Sequence, residues 1–294
     1  LTSLEPKGSE KETFKYSTIA VESGRRLRRF NFPADIAIGK LTYGKNSNYV
    51  TAFGVVDIPA DDAVLFMPMP VVSRYPQYMR RFRSDDVNCL SLVLDACTDQ
   101  VLTAAEGLSG ITDLRLSDSG QLITDKGFQR VENFKHLDSF ALSSSNLTGE
   151  SLARVNCWQN LKRLIWREAK EPGAFLKKLQ SSSALVYLDL SSNRLSHADF
   201  LLISKLTGLE HLSLANTRTT VEDLETIATL PKLVGLDLTN SGLGVKAIPV
   251  LLKMKNLKQL AILQATSPPE FRTKLINQLP HVKVYGWSES MRVP

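Results

Sequence analysis

The chain has 294 residues but no apolar run approaching the roughly 18 needed to cross a bilayer, so no membrane-spanning helix is expected. No secretory signal opens it either. It starts at Leu1 rather than methionine. That leaves the compartment unassigned and is compatible with an exported or cell-surface form whose signal or anchor has been removed. Cysteine is scarce: Cys89, Cys97 and Cys157 are odd in number and form no C-x-x-C, which argues against a disulfide framework or a zinc site. The four histidines, His136, His197, His211 and His281, stand at unrelated positions and make no ligand set. The catalytic signatures are missing too: there is no G-x-S-x-G, phosphate loop, H-E-x-x-H or dinucleotide fingerprint. No metal, no cofactor and no enzymatic activity are expected.

Charge of one sign is lacking over most of the length. Residues 85–294 carry 23 Lys/Arg against 22 Asp/Glu, whereas residues 1–84 carry 13 against 8. A nucleic-acid binder usually presents a broad basic face. Only the N-terminal part, with Arg25, Arg26, Arg28 and Arg29, could offer one, and nucleic acid is the less favoured partner.

What is present is a period. Leu185-x-x-Leu188-x-Leu190, Leu209-x-x-Leu212-x-Leu214 and Leu233-x-x-Leu236-x-Leu238 begin 24 residues apart. The frame extends upstream through Leu161, Leu137, Ile111 and Val87 and downstream to Leu257, with one longer step between Ile111 and Leu137. A second apolar column, exemplified by Phe200/Ile203/Leu206 and Leu224/Ile227/Leu230, has the spacing of three that belongs to a helix. The alternation within L-x-x-L-x-L belongs to a strand. Each unit therefore reads as one short strand and one short helix. Before the helices stand Thr98, Thr124, Thr148, Pro172, Ser196, Thr220 and Gly244, residue types suited to a helix start.

These lines resemble the leucine-rich-repeat family, and a fixed period in this range is the mark of a solenoid. The resemblance implies an α/β, right-handed solenoid of about eight 24-residue repeats, with a parallel sheet on the concave side and helices on the convex side. It also implies that Ser119, Ser145, Asn193, Thr217 and Ser241 occupy the ladder position at which a polar side chain bonds buried backbone of the neighbouring turn.

The period is absent from the first 70 residues. Residues 1–13 lack apolar content and read as a flexible lead-in. Residues 14–70 read as a small all-β module, with a strand pair at Phe30–Pro33 and Ile36–Leu41 and another strand over Tyr49–Val56 before a turn at 57–62. The run F-x-F-P-x-D-x-x-I-G-x-L followed by A-x-G-x-V-x-I-P-A resembles a module of planctomycete-like bacterial leucine-rich-repeat proteins. A solenoid's first turn has an apolar face without a neighbour, so the module is expected to cap it. The solenoid is expected over 71–287, closed by a half-repeat at Val282–Trp287, with a tail over 288–294.

Residues between the leucines should point outward from the sheet. Among them Arg115, Arg163, Arg167, Tyr187, Asp189, His211, Asp237 and Gln259 are the candidate binding residues. Eight strands at about 4.8 Å span roughly 40 Å, the scale of a protein partner rather than a small molecule. The family resemblance implies a protein–protein interaction module. Binding of envelope polymer or glycan by the N-terminal module, and of nucleic acid or an anionic surface by Arg25–Arg29, are the alternatives.

Overall fold

The computed structural model describes residues 15–181, 184–262 and 269–285. The lead-in at 1–13, the tail at 288–294 and Trp287 lie outside them.

Alternating apolar and polar side chains make the strands. The first six are β1 (Ser17–Glu22), β2 (Arg25–Asn31), β3 (Gly39–Tyr43), β4 (Asn48–Thr51), β5 (Val55–Pro59) and β6 (Val64–Pro68). The period supplies β7 (Cys89–Val93), β8 (Asp113–Ser117), β9 (Ser139–Ser143), β10 (Arg163–Trp166), β11 (Tyr187–Asp189), β12 (His211–Ser213), β13 (Gly235–Asp237), β14 (Gln259–Ala261) and β15 (Lys283–Tyr285). From β6 to β15 each strand pairs in parallel with the next, and Leu164, Leu188, Leu212, Leu236 and Leu260 stand in register across five of them. The loop entering each strand continues the ladder: the backbone N–H groups of Val186, Glu210, Val234 and Lys258 each donate to the carbonyl 24 residues earlier.

Short helices fill the return path: α1 (Val71–Arg74), α2 (Asp99–Ala105), α3 (Asp125–Phe128), α4 (Gly149–Ala153), α5 (Gly173–Leu179), α6 (His197–Ile203), α7 (Val221–Ile227), α8 (Ile248–Leu251) and α9 (Pro269–Gln278). The side chains of Thr98, Thr124, Thr148, Ser196 and Thr220 each accept a hydrogen bond from the third residue of the helix they precede. Such caps satisfy donors that a helix start leaves orphaned. Pro172 and Gly244 precede their helices without a side-chain bond. The return path is less helical than the spacing of three implies, because 3-10 turns at Gln129–Asn133, Trp158–Asn160 and Val245–Ala247 carry part of it.

Leucines pointing inward from the strands meet apolar side chains from the helices in one continuous core. Burying each such side chain contributes about 1.5–3 kcal/mol. Trp166 is buried and meets Phe175 edge-on at 5.7 Å between ring centres, so it fills core. Asn193 does what the ladder position implies: its Oδ1 accepts from Ala169 N and its Nδ2 donates to Trp166 O, both at 2.6 Å.

The N-terminal strands differ from the sequence expectation. β2 does not pair with β3. It lies between β1 and β5 in a three-stranded antiparallel sheet, while β3 pairs with β4 and with β6. The strand expected over Tyr49–Val56 is broken at Ala52–Gly54, where Gly54 takes φ +59°, and β5 then runs through part of the expected turn. A glycine accepts that left-handed backbone without strain, and the break lets β4 and β5 join different sheets. The Phe66 and Phe82 rings, 4.8 Å apart, connect the aromatic cluster of Tyr16, Phe30 and Phe32 to the repeat core.

Candidate functional site

Two columns run along the outward face of the sheet. In the first, Arg163, Tyr187, His211, Gly235 and Gln259 are register partners on β10 to β14. In the second, Ile165, Asp189, Ser213, Asp237 and Ala261 follow on the same strands. The sheet therefore brings six of the eight expected outward residues into two adjacent rows or, for Arg167, onto the end of one of them. Arg115 stands apart, three strands from Asp189 through Ala141 and Ile165, or roughly 14 Å at the usual strand spacing.

The first column is a ridge. The Arg163 guanidinium lies over the Tyr187 ring, 3.9 Å from its centre, and the His211 ring follows at 6.5 Å and 36°. Gly235 makes room for it, since a Cβ there would come within 2.3 Å of His211 Nδ1. Cation–π contact of this kind contributes about 0.5–1 kcal/mol where solvent reaches it. Among the described residues no carboxylate lies within ion-pairing distance of Arg163. By contrast, Arg115 bonds Asp113 Oδ2 at 2.6 and 3.0 Å, and Arg167 Nη2 bonds Asp189 Oδ2 at 2.9 Å. Arg163 is thus held flat against an aromatic ring with its N–H groups available.

Burial tunes the ridge. It pushes the Tyr187 phenol up, with Asp189 adding to the effect. It pushes His211 below its ordinary 6.5, and Glu210 and Arg163 act on it in opposite directions. His211 is 9 % exposed and its Nδ1 has no partner, so the ring is neutral in the fold near pH 7.

Asp189 and Asp237 are not open flanking charges. Asp189 is 3 % exposed, and its Oδ1 accepts from Ser191 N at 2.8 Å. Asp237 Oδ1 accepts from Thr239 N at 2.9 Å and is half-buried. A carboxylate bonding the backbone two residues on closes an Asx turn. The motif D-L-[ST] recurs at 24-residue spacing and was the available signal. Gln259 lies at the C-terminal side, where it accepts a long 3.5 Å bond from the Tyr285 hydroxyl. Asp118, absent from the candidate residues, is fully buried and accepts from Leu122 N, Ile123 N and Ser145 Oγ, organising the loop that lengthens its repeat.

No hydrolytic set is assembled. Asp189 is committed to Ser191 and Arg167, and no hydrogen bond joins His211 to Asp189 or Ser213 among the described residues. Burial pushes the Cys89 and Cys157 thiols up to about 12 and raises Cys97 as well, so none is a thiolate at neutral pH. Among the described residues no group of three or more His, Cys, Asp or Glu could hold a metal ion. No described helix is long and apolar enough to cross a membrane.

The basic cluster is largely spent inside the fold. Arg29 makes a two-pronged pair with Asp57 at 2.7 and 2.8 Å, adds Glu22, and holds the Asp57 carboxyl below its ordinary range. Arg28 donates to the carbonyls of Ala60, Asp86 and Asp85. Arg26 has Asp61 at 3.8 Å, and only Arg25 has no described partner. Alternate side chains of one strand point to opposite faces, so the four arginines do not form one anion-binding patch.

No protein-family model matches the chain, and no curated protein matches it. The resemblance of the N-terminal run to planctomycete-like modules therefore stands on its residues alone. Among solved structures it is similar to a chain of the Toll–Spatzle complex, described as a molecular hub in Drosophila development and innate immunity. The TM-score is 0.54 at 18 % identity, over 91 % of this chain and 34 % of that one. This chain thus spans about a third of that neighbour's length, and the likeness is one of fold. With its long, mostly parallel sheet, the molecule has an α/β architecture of the leucine-rich-repeat, solenoid-like kind.

Proposed function

We propose that the chain is a non-catalytic protein-binding module that takes its partner on the outward face of the parallel sheet, centred on the Arg163–Tyr187–His211 ridge. The observation carrying this reading is the ridge itself: a guanidinium without a carboxylate, stacked on a half-buried aromatic ring and followed by a neutral imidazole. Arg and Tyr are enriched among residues that dominate protein interfaces, and a stacked guanidinium loses little freedom when it binds. About eight repeats over 71–287 would supply the face, and residues 14–70 would cap the first of them. A protein-binding role for the fold is also in keeping with the Toll–Spatzle neighbour, whose title describes a complex.

Affinity capture from the native source with wild type and with Arg163→Ala/Tyr187→Ala/His211→Ala tests this. Loss of at least one partner from the variant, with unchanged thermal unfolding, is the expected result. Identical partner lists would overturn it.

A further inference from the structure

Sheet edges offer unpaired backbone, and folded proteins usually blunt them. Among the described residues the two sheets leave four: β1 and β5 in the small sheet, β4 and β15 in the long one. Three are blunted. β15 has three residues and begins with Lys283; β4 has four and is mostly polar. β5 carries Pro59. The bonds from Phe32 N to Gly54 O and from Ala60 N to Arg26 O show that Pro59 stands where its missing N–H would face the free side.

β1 has none of these devices. It is six residues long and contains no proline, lysine or arginine. The bond from Asn31 N to Tyr16 O sets its phase: Thr18, Ala20 and Glu22 bond β2, while the backbone N–H and C=O groups of Ile19 and Val21 point away from it. Those two residues also carry side chains 57 % and 69 % exposed. Cations border the strand. Val21 pairs in register with Arg26, Glu22 pairs with Arg25, and Arg83 Nε bonds Ser17 O at the other end beside Lys15, which itself bonds only carbonyls. Of these four cations only Arg26 has a carboxylate within 4 Å.

We propose that β1 is a second docking edge, on which an extended, acidic segment of a partner protein adds as a fourth strand of the small sheet. Backbone hydrogen bonds to Ile19 and Val21 provide the attachment, alternate apolar side chains of the segment cover those of Ile19 and Val21, and its carboxylates meet Arg25, Arg26, Lys15 and Arg83. Addition of a strand to an exposed edge draws affinity from the main chain and selectivity from the flanking side chains. This surface is separate from the Arg163 ridge, so the two readings fail independently.

The test uses a fluorescent eight-residue peptide of alternating valine and glutamate, with a valine–lysine peptide and a backbone N-methylated acidic peptide as controls. The acidic peptide is expected to bind near physiological salt and to slow amide exchange at Ile19 and Val21, and neither control should do so. Val21→Pro removes a donor that β2 does not use and should weaken binding about tenfold or more. Ile19→Lys/Val21→Lys, which leaves every backbone bond in place, should weaken it similarly and guards against misfolding of the proline variant. Absence of binding, equal binding by the N-methylated peptide, or unchanged affinity in both variants would overturn the proposal. So would self-association of the wild type that Val21→Pro abolishes, since the occupant would then be a second copy.

Discussion

Single side chains on and behind the sheet carry separable roles. Asn193 is 3 % exposed and bonds two backbone groups of the preceding turn. Asn193→Ala leaves a buried N–H and a buried C=O unpaired and should lower stability by about 2–4 kcal/mol, read as a shift of the urea midpoint at constant slope. The two buried or bonded histidines should act in opposite directions with pH. His211 is depressed by burial, so its contribution is fully present above its ordinary 6.5 and is lost as pH falls below it. His197 is raised, chiefly by its 2.8 Å bond to Asp223, so its contribution is present below 6.5 and is lost as pH rises through the raised value. Between about pH 8 and about pH 5, His211→Phe should lose less stability than wild type and His197→Gln should lose more, measured by urea unfolding at both ends. The Tyr187 and Arg163 positions were legible from the outward phase of the strand. The inward commitment of Asp189 was not, because strand alternation tells which face a side chain takes and not which backbone N–H it turns back to meet.

At the level of elements, the helix starts are tied to one another as well as capped. Thr124 caps α3 and also donates to Asp99 Oδ2 at 2.6 Å, while its N–H reaches Asp99 Oδ1 at 2.8 Å. Ser151 in α4 bonds Asp125 in α3 in the same way. Thr124→Ala should cost about 1–2 kcal/mol. Combined with Asp99→Ala it should cost measurably less than the two changes summed, as a double-mutant cycle in chemical denaturation would reveal. Serines and threonines at a fixed phase made these caps readable in advance, and the 24-residue spacing placed β7 to β14. The N-terminal strands were misread for a local reason. Ser23 at φ +50° and Gly24 at +76° form a two-residue turn that folds β1 onto β2. A serine–glycine pair is a hairpin signal only when both flanks are read as strands, and Ser17–Glu22 was not.

Across the whole molecule, the sheet passes without interruption from β4 to β15 through β6, which pairs antiparallel with β3 and parallel with β7. Phe66 sits at that junction, buried against Phe82. Phe66→Ala should cost about 3–5 kcal/mol and raise amide exchange on both sides of it, in β3 and in β7; protection lost on one side alone would mean that the two parts unfold separately. Because neighbouring units touch mainly each other, their strands lie one after another along the direction in which inter-strand hydrogen bonds point. Tension between the two ends of the chain would therefore load those bonds a few at a time, peeling units off in succession rather than shearing them together. Each 24-residue unit released adds about 80 Å of contour length. A partner that gripped the β1 edge while another held the far end would meet an extensible tether that lengthens in steps.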